Sequence, residues 1–277
     1  MTNTTVFWLD GRLVEAGPPL IRADDRAFLL GDGLFETIRV ADGTPRHVDR
    51  HLQRLTEGAA FLDIPLPYTR EVLTIAIERL IRATGTMDGT VRLTLSRGSG
   101  ERGIGLPERP CPLLLMTIVP MKVDGHAPIA LATARETRRN EHSPLGRLKS
   151  LNYLDSILAR REASRRGADD ALLLSTAGQV AEASVANVIV SFGGKLWTPP
   201  VSDGALPGIM RGILMETIGI MERSFRRDDL DAAEALFLCN SLAIRQVGSL
   251  DGRHLSQDPV RLGELREAGG FGQPVEG

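Results

Sequence analysis

The sequence predicts a mixed α/β (α+β) protein with two domains, and three observations support this prediction. The chain has 277 residues, which is enough for two modest domains. Segments with the two-residue period of strands alternate with segments that have the helical period. Residues 119–128 contain two prolines and a glycine and show little periodicity, as in a linker. We therefore expect a small N-terminal domain over 1–119, an interdomain linker over 120–128 and a larger C-terminal domain over 129–277.

The N-terminal domain is predicted to begin with a hairpin. Two short apolar runs, 6–9 and 12–14, flank Asp10-Gly11, a dipeptide typical of tight hairpin turns. Apolar residues in the segments that follow recur with the spacing of strands or of amphipathic helices. We predict strands at 34–40, 91–95 and 113–119, and helices at 47–61 and 69–83.

The C-terminal domain is predicted to begin with a strand and a lysine-containing loop. The loop leads into a helix that ends at Gly167, a residue type favoured just past a helix C-terminus. We predict helices at 152–166 and 208–222, and strands at 129–133, 171–174, 180–181, 187–190, 196–197 and 235–239.

Composition excludes several classes of protein. The net charge of −2 argues against nucleic acid or a membrane surface as a general partner. The longest apolar run, 113–119, is far too short to span a bilayer. The first ten residues lack the basic and apolar regions of a signal peptide, and two cysteines fit a reducing compartment. We expect a cytoplasmic protein.

Lys149 is the first candidate for chemistry. It lies just before the predicted helix at 152–166. The helix dipole disfavours a positive charge there, which favours the nucleophilic free amine. On spacing alone, a surface lysine with no role is the more ordinary interpretation.

Glu182 is the second candidate. It lies in a strand-like run of small residues, where an acid is expected to approach another backbone or a ligand. Pyridoxal 5'-phosphate (PLP) chemistry needs an amine for the Schiff base, an acid for the ring nitrogen and donors for the phosphate. Lys149 and Glu182 suggest the first two. An edge-strand glutamate that faces water fits the same pattern.

Phosphate donors are suggested at three places. Arg54 lies close to His51 on the predicted helix 47–61 and can turn a guanidinium toward a phosphate, or form a surface ion pair. The segment 206–211 opens into a helix, and helix N-termini bind phosphate through backbone amides. Asn240 and Ser241 follow a buried strand and can add further donors. Ordinary capping explains the last two places equally simply.

The segment 98–103 matches the dinucleotide pattern G-x-G-x-x-G, but we reject that interpretation. Gly105 and Pro107 follow at once, so no helix can begin there to receive a pyrophosphate. A flexible loop that carries Arg97 and Arg102 fits better. Arg102 is then a candidate for binding a substrate carboxylate, or a solvated loop residue. The five histidines show no metal-ligand spacing.

Taken together, these segments resemble the class IV aminotransferase family, the fold-type IV PLP enzymes. The resemblance covers roughly residues 6–247. Its markers, each weak alone but specific in this order, are the segments 31–39, 51–55, 149–152, 182–184 with Asn187, 198–200 and 206–211. It implies a small N-terminal α/β domain, a larger barrel-like C-terminal domain with PLP between the two, and a homodimer whose partner subunit reaches into the active site.

The resemblance also implies roles for individual residues. Lys149 corresponds to the Schiff-base lysine and proton shuttle, and Glu182 to the partner of the ring nitrogen. The expected phosphate cup and other cofactor contacts are Arg54, Ser184, Asn187, Ile209, Met210, Ser241 and Leu242. The expected substrate residues are Phe35, Glu36, Arg102, Ile104 and Asn240.

The resemblance divides over the reaction. Glu36 agrees better with transaminase members, whereas Ile104 replaces the histidine that D-amino-acid transaminases have two residues after their carboxylate-binding arginine. Our leading hypothesis is a transaminase that moves an amino group between a D-amino acid or (R)-amine and a 2-oxo acid. The second is an aminodeoxychorismate lyase that releases pyruvate and 4-aminobenzoate for folate synthesis. A branched-chain amino-acid transaminase ranks third, and a PLP-binding protein without turnover is the hypothesis from outside the enzymes.

Overall fold

The computed structural model describes residues 6–15, 21–121 and 127–271. They form two compact units. Unit 1 contains the described residues up to 121 together with Leu148–Asn152, and unit 2 contains the rest. Residues 122–126 of the predicted linker lie outside the described residues. Lys149 therefore belongs to unit 1, whereas the sequence-based boundaries assign it to the larger C-terminal domain.

Unit 1 is a sheet with helices packed on it. Within the described residues, its sheet has six strands in the order β2-β1-β6-β5-β3-β4, and every neighbouring pair is antiparallel. Its elements are β1 (Val6–Leu9), β2 (Arg12–Glu15), α1 (Arg26–Leu30), β3 (Gly33–Ala41), β4 (Thr44–Pro45), α2 (Val48–Phe61), α3 (Arg70–Thr84), β5 (Gly89–Ser96) and β6 (Leu113–Pro120).

The core of unit 1 lies between its sheet and helices α2 and α3. Leu52 and Leu55 of α2 and Ile77 of α3 are fully or almost fully buried, together with Ile38 of β3 and Val91 of β5. Buried apolar residues recur at helical spacing in α2 and α3 and at about every second position in β3 and β5, so each element buries one apolar face. The packing fixes α2, and with it the polar residues that α2 directs at β3.

Unit 2 carries a curled, half-barrel sheet. In the part of unit 2 that is described, the sheet has nine strands, ordered β12-β11-β10-β13-β14-β7-β8-β9, with β15 paired to β14. The elements are β7 (Ile129–Thr133), α4 (Leu154–Arg165), β8 (Asp170–Leu174), β9 (Val180–Ala183), β10 (Asn187–Phe192), β11 (Lys195–Thr198), α5 (Ile209–Ile218), β12 (Met221–Glu222), β13 (Ala235–Cys239), β14 (Ile244–Leu250), β15 (Arg253–His254) and α6 (Pro259–Ala268).

The core of unit 2 has three parts. Strands β8, β10 and β13 contribute continuous apolar runs, as expected of strands buried on both faces. Helices α5 and α6 pack Leu214 and Leu265 into one cluster with Phe237. Helix α4 buries only small residues, Ala159 and Ala163, against the sheet. The helix therefore approaches the strands closely.

The predicted mixed α/β class is confirmed, and the differences are local. Helix α5 ends at Ile218 rather than 222, because Gly219 adopts φ +69° and the chain turns into β12. Helix α4 begins at Leu154, two residues later than predicted. Prediction missed α1, which has five residues, too few to show a helical period, and also β14 and α6. No helix among the described residues is long and apolar enough to cross a membrane.

Candidate active site

Lys149 lies in an extended segment bonded to strand β3. The backbone N–H of Phe35 donates to the carbonyl of Lys149 at 2.9 Å, and the N–H of Leu151 donates to the carbonyl of Gly33 at 3.0 Å. A Cβ at Gly33 would lie 2.3 Å from the Leu95 carbonyl oxygen, so only glycine allows this close approach. The prediction that Lys149 lies at a helix N-terminus is wrong, because α4 begins five residues later at Leu154.

The side chain of Lys149 contacts an aromatic ring. Its Nζ lies 4.3 Å from the centroid of Phe35, and the guanidinium carbon of Arg92 lies 3.9 Å from the same centroid. Phe35 is only 6% exposed, so its position is fixed by packing. A ring face attracts a cation. Phe35 therefore orients the lysine amine, and its contact with substrate remains a prediction.

Arg54 is held by a buried acid. Its Nε and Nη2 each donate to Glu36 at 2.8 Å, and Nδ1 of His51 lies 2.7 Å from Glu36 Oε2. Burial would raise the pKa of Glu36, but the charge and hydrogen bonds of Arg54, with the hydrogen bond of His51, outweigh it and lower the pKa to about 2. Glu36 was predicted to contact substrate. In the structure it is 1% exposed and fixes the plane of the Arg54 guanidinium.

Arg102 and Ile104 lie on an exposed loop, as predicted, and Ile104 is 87% exposed. Arg97 does not share that environment, which corrects the prediction that both arginines lie on a flexible loop. Arg97 is 4% exposed and donates to Asp32 at 2.8 Å and to the Leu62 carbonyl at 2.7 Å. No helix begins between β5 and β6, which confirms that the glycine pattern is not a dinucleotide site.

Arg26, which the sequence did not single out, ties this loop to the rest of unit 1. It donates to the Gly105 carbonyl at 2.9 Å and, like Arg97, to Asp32 at 2.8 Å. Burial would raise the pKa of Asp32, but its hydrogen bonds to Arg97 and Arg26 and their charges lower it. The pair of arginines on one carboxylate therefore braces the loop that carries Arg102.

Glu182 lies in β9 of unit 2 and is 8% exposed, so the alternative of an edge glutamate facing water is wrong. Its Oε1 lies 2.8 Å from Nη2 of Arg139, and its Oε2 accepts the backbone N–H of Leu206 at 2.9 Å. The opposite charge and the amide both favour the carboxylate form. Arg139 is a site residue that prediction missed, since an arginine in a loop has no periodic signal.

Helix α5 begins with backbone amides that no N-cap side chain covers. Its N-cap, Gly208, leaves room for Asn187, because a Cβ at Gly208 would lie 1.9 Å from Asn187 Oδ1. Asn187 Nδ2 donates to the Leu206 carbonyl at 2.9 Å. Asn187, predicted as a cofactor contact, thus shapes the entry to the helix whose first residues are Ile209 and Met210.

The turn after β13 differs from the prediction in two residues. Asn240 Oδ1 accepts the backbone N–H of Leu242 at 2.9 Å and that of Ala243 at 3.0 Å. The Leu242 amide, predicted to bind phosphate, is therefore used within the turn. Asn240, predicted to contact substrate, shapes the turn and donates to the Val185 carbonyl at 3.2 Å. Ser241 is half-buried beside them.

Ser184 is also engaged inside unit 2. Its hydroxyl donates to Asp170 Oδ1, and both side chains are buried. Asp170 lies at the start of β8, so this hydrogen bond joins β8 to the turn after β9. The structure therefore assigns Ser184 to holding the strand end beside Glu182. The cofactor contact expected of its hydroxyl remains a prediction.

Each unit, considered by itself, contains some of the chemical groups that PLP requires. Unit 1 offers the amine of Lys149 and the fixed guanidinium of Arg54. Unit 2 offers a carboxylate at Glu182 and a helix N-terminus at Gly208 without a side-chain cap. These are the chemical types that bind an aldehyde carbon, a pyridinium nitrogen and a phosphate. The groups of each unit, taken separately, therefore fit a part of the cofactor in chemical type.

Comparison with known proteins agrees with this fit. Residues 33–250 match the family model described as amino-transferase class IV. The chain is 32% identical to the bifunctional aminodeoxychorismate lyase / D-amino acid transaminase of Mycobacterium tuberculosis, over 92% of this chain and 94% of that protein. The relative's name covers both of the leading reactions.

Two solved structures resemble the whole chain. A branched-chain aminotransferase from Thermoproteus uzoniensis aligns with a TM-score of 0.88 and 28% identity, over 98% of this chain and 96% of that one. A hypothetical aminotransferase from Mycobacterium tuberculosis in its PLP-bound form aligns with a TM-score of 0.82 and 30% identity, over 95% and 98%. The resemblance noted in the sequence is thereby confirmed: the protein belongs to the class IV aminotransferase family, whose members are PLP-dependent enzymes.

Proposed function

We propose that the protein is a transaminase that uses PLP to move an amino group from a small-molecule donor to a 2-oxo acid by a ping-pong mechanism. The main observation in support of the proposal is Glu182, a buried carboxylate that pairs with Arg139. A carboxylate is the type of group that pairs with a protonated ring nitrogen. When bound, PLP supplies a carbonyl carbon that bonds to amines and a ring that takes up electrons when a proton leaves the donor. A proton held at the ring nitrogen strengthens that effect.

Lys149 carries the covalent and proton-transfer work. With PLP bound, its Nζ would hold the aldehyde carbon and, once released by the donor amine, would be the base that takes the proton from the donor Cα. The same amine would then hold that proton for return to the substrate–cofactor adduct. The backbone bonds to β3 and the Phe35 ring limit the space that Nζ can sample, which favours a reactive geometry.

Phosphate binding is assigned to Arg54 and the start of α5. Glu36 takes two of the five N–H donors of Arg54 and fixes the guanidinium plane, a geometry suited to phosphate oxygens. The amides of Ile209 and Met210 lie in the first turn of α5, where the dipole favours an anion. Ser241 adds a hydroxyl, whereas the Leu242 amide already donates to Asn240.

Substrate recognition is assigned to the exposed loop and to Phe35. Arg102 is proposed to bind the donor carboxylate, with Ile104 beside it, on the loop that Arg26 braces. Glu36 and Asn240 act indirectly, through Arg54 and through the turn at 240–243. We favour D-amino acids or (R)-amines as donors over branched-chain L-amino acids, by analogy with the family rather than from the pocket.

An aminodeoxychorismate lyase is the second candidate. The observation in its favour is the 32% identity to a relative named for both that reaction and D-amino acid transamination. Lys149 would remove the same kind of proton, but the released electrons would expel a leaving group. Pyruvate and 4-aminobenzoate would then be the products.

A branched-chain amino-acid transaminase is the third candidate. Its support is the alignment with the Thermoproteus uzoniensis enzyme, with a TM-score of 0.88. Lys149 and Glu182 would act as in the leading proposal, and only the donor would differ.

We also propose that the protein works as a cytoplasmic homodimer. Unit 1 exposes apolar side chains on α1 and the neighbouring loop, with Phe28 75%, Ile104 87% and Leu106 61% exposed. A second copy that covered them would remove apolar area from water. Sedimentation at micromolar concentration tests the dimer, and a monomer at all concentrations would contradict it.

One set of assays separates the candidate reactions. The PLP-loaded protein is supplied with D-alanine and 2-oxoglutarate, an (R)-amine and pyruvate, L-leucine and 2-oxoglutarate, or aminodeoxychorismate. We expect amino transfer from D-alanine or the (R)-amine at least tenfold above that from L-leucine. Rapid release of 4-aminobenzoate with negligible amino transfer would overturn the proposal.

A further inference from the structure

We propose that Arg139 is a positioning residue that makes Glu182 a competent partner for the cofactor ring nitrogen. This role rests on the proposed function, because it concerns PLP. Arg139 would act on the cofactor through Glu182, with which it pairs. Hydrogen bonds within unit 2 hold both Arg139 and Glu182 in place.

The backbone of Arg139 is built into the sheet of unit 2. Its N–H donates to the Leu174 carbonyl at 2.8 Å, and its carbonyl accepts the Thr176 N–H at 3.1 Å. It pairs in parallel with Ser175, just past the end of β8. Glu182 lies in β9, which pairs with β8, so both residues are anchored to the same strand, Arg139 through an isolated bridge at its end and Glu182 through the β8–β9 ladder.

The side chain of Arg139 joins Glu182 to the segment before α5. Its Nη2 lies 2.8 Å from Glu182 Oε1, and its Nε donates to the Gly204 carbonyl at 3.3 Å. Glu182 Oε2 meets the same segment through the Leu206 N–H at 2.9 Å. Gly204 adopts φ +96°, and a Cβ there would lie 3.0 Å from Arg139 Cβ. Glycine at 204 therefore permits this close approach.

The charge balance gives Arg139 its function. The side chains are 19% and 10% exposed for Arg139 and Glu182, so neither charge is well solvated. Removing the cation beside a part-buried carboxylate disfavours its ionised form, and a protonated acid is a weaker acceptor for a ring N–H⁺. A carboxylate can accept about four hydrogen bonds, so pairing with Arg139 is compatible with a bond to a ring N–H⁺.

The neighbouring Arg138 is a matched control. It is exposed and donates to the carbonyls of Ala134 at 2.7 Å and Thr137 at 2.9 Å. These partners are backbone groups of its own loop. Substituting Arg138 removes the same charge and the same side chain one residue away from Arg139.

The test compares binding of PLP with binding of a deaza analogue in which carbon replaces the ring nitrogen. Dissociation constants are measured on the wild-type chain freed of cofactor and on Arg139→Gln, Arg139→Lys and Arg138→Gln. We expect Arg139→Gln to weaken PLP binding roughly tenfold, the worth of one hydrogen bond to a charged group. Binding of the analogue should change less than about twofold, Arg139→Lys should recover most of the loss, and Arg138→Gln should match the wild type.

Each other result overturns a defined part of the account. Equal weakening of both ligands would mean that Arg139 only supports the local fold. Unchanged PLP binding in Arg139→Gln would remove the role of Arg139 while leaving the proposed function intact. If the wild-type chain bound neither ligand, the proposed function would fail, and the role of Arg139 with it.

Discussion

In each unit, one arginine–glutamate pair with an N–O distance of 2.8 Å includes a predicted site residue, and the two pairs have opposite organisation. In unit 1, Glu36 is 1% exposed and accepts hydrogen bonds from Arg54 and His51. In unit 2, the acid is paired with Arg139 and with a backbone amide. We infer that the arginine is the working group in the first pair and the acid in the second. The chemistry of an ion pair is thus set by its surroundings.

The largest expected effect comes from breaking the pair in unit 1. Glu36→Ala leaves the part-buried Arg54 guanidinium without its partner, so we expect a loss of about 3–5 kcal/mol in the free energy of unfolding. Urea unfolding without cofactor measures it. Glu57→Ala, on the exposed side of the same helix, is the control and should change stability by less than about 0.5 kcal/mol. Equal losses in the two variants would contradict the account.

The pH dependence of stability gives the next largest effect. The pKa of Glu36 is about 2 in the folded chain and 4.5 ordinarily, so the unfolded state binds the proton more readily. Its contribution to stability is therefore full above pH 4.5 and is lost as the pH falls toward 2; it is about 3 kcal/mol. As the pH is lowered from 6 to 2, the free energy of unfolding should fall less steeply for Glu36→Gln than for the wild type. Parallel curves would refute the assignment.

Breaking the pair in unit 2 should affect turnover more than folding. Glu182→Gln keeps the shape of the side chain but removes the charge, so we expect amino transfer to fall by about 10²-fold. The free energy of unfolding should fall by about 2 kcal/mol, less than for Glu36→Ala, since the amide oxygen can accept from only one of the two donors, Arg139 and the Leu206 N–H, and the other loses its acceptor. A variant that lost stability but retained turnover would reverse the roles given to the two pairs.

His51 gives the smallest expected effect. It donates to the ionised Glu36 carboxylate through Nδ1, while its buried Nε2 has no hydrogen-bond partner among the described residues. His51→Leu removes one hydrogen bond but also one unsatisfied polar atom, so the net loss should be about 1 kcal/mol. Urea unfolding of the variant checks this value. A loss as large as that of Glu36→Ala would show that His51, rather than Arg54, holds the acid.

The sequence predicted most elements of the fold because their apolar residues repeat. Helix α2 and strand β6 were predicted to within a residue of their ends. Helix α1 escaped prediction because it has five residues and is stabilised by its cap Asp25, whose side chain accepts the Ala27 and Phe28 amides. Short elements depend on such single hydrogen bonds, which leave no periodic trace.

The sequence could predict a site residue only where the chemical type of its side chain was enough to suggest a role. Lys149, Glu182 and Arg54 were proposed from chemistry and family resemblance. The partners that give them their environment, Arg139 above all, were not, because pairing depends on contacts between distant segments. The extended conformation of Lys149 has the same cause, since it follows from bonds to β3, more than a hundred residues earlier in the chain.

The covalent role of Lys149 is the central claim, and the chain is well suited to test it. It contains three lysines in all: Lys122, Lys149 and Lys195. The PLP-loaded protein is reduced with borohydride, cleaved after arginine and analysed by mass spectrometry. We predict a cofactor-derived mass on Lys149 alone. Label on Lys195 or Lys122 instead, or no label on a protein that binds PLP, would contradict the claim.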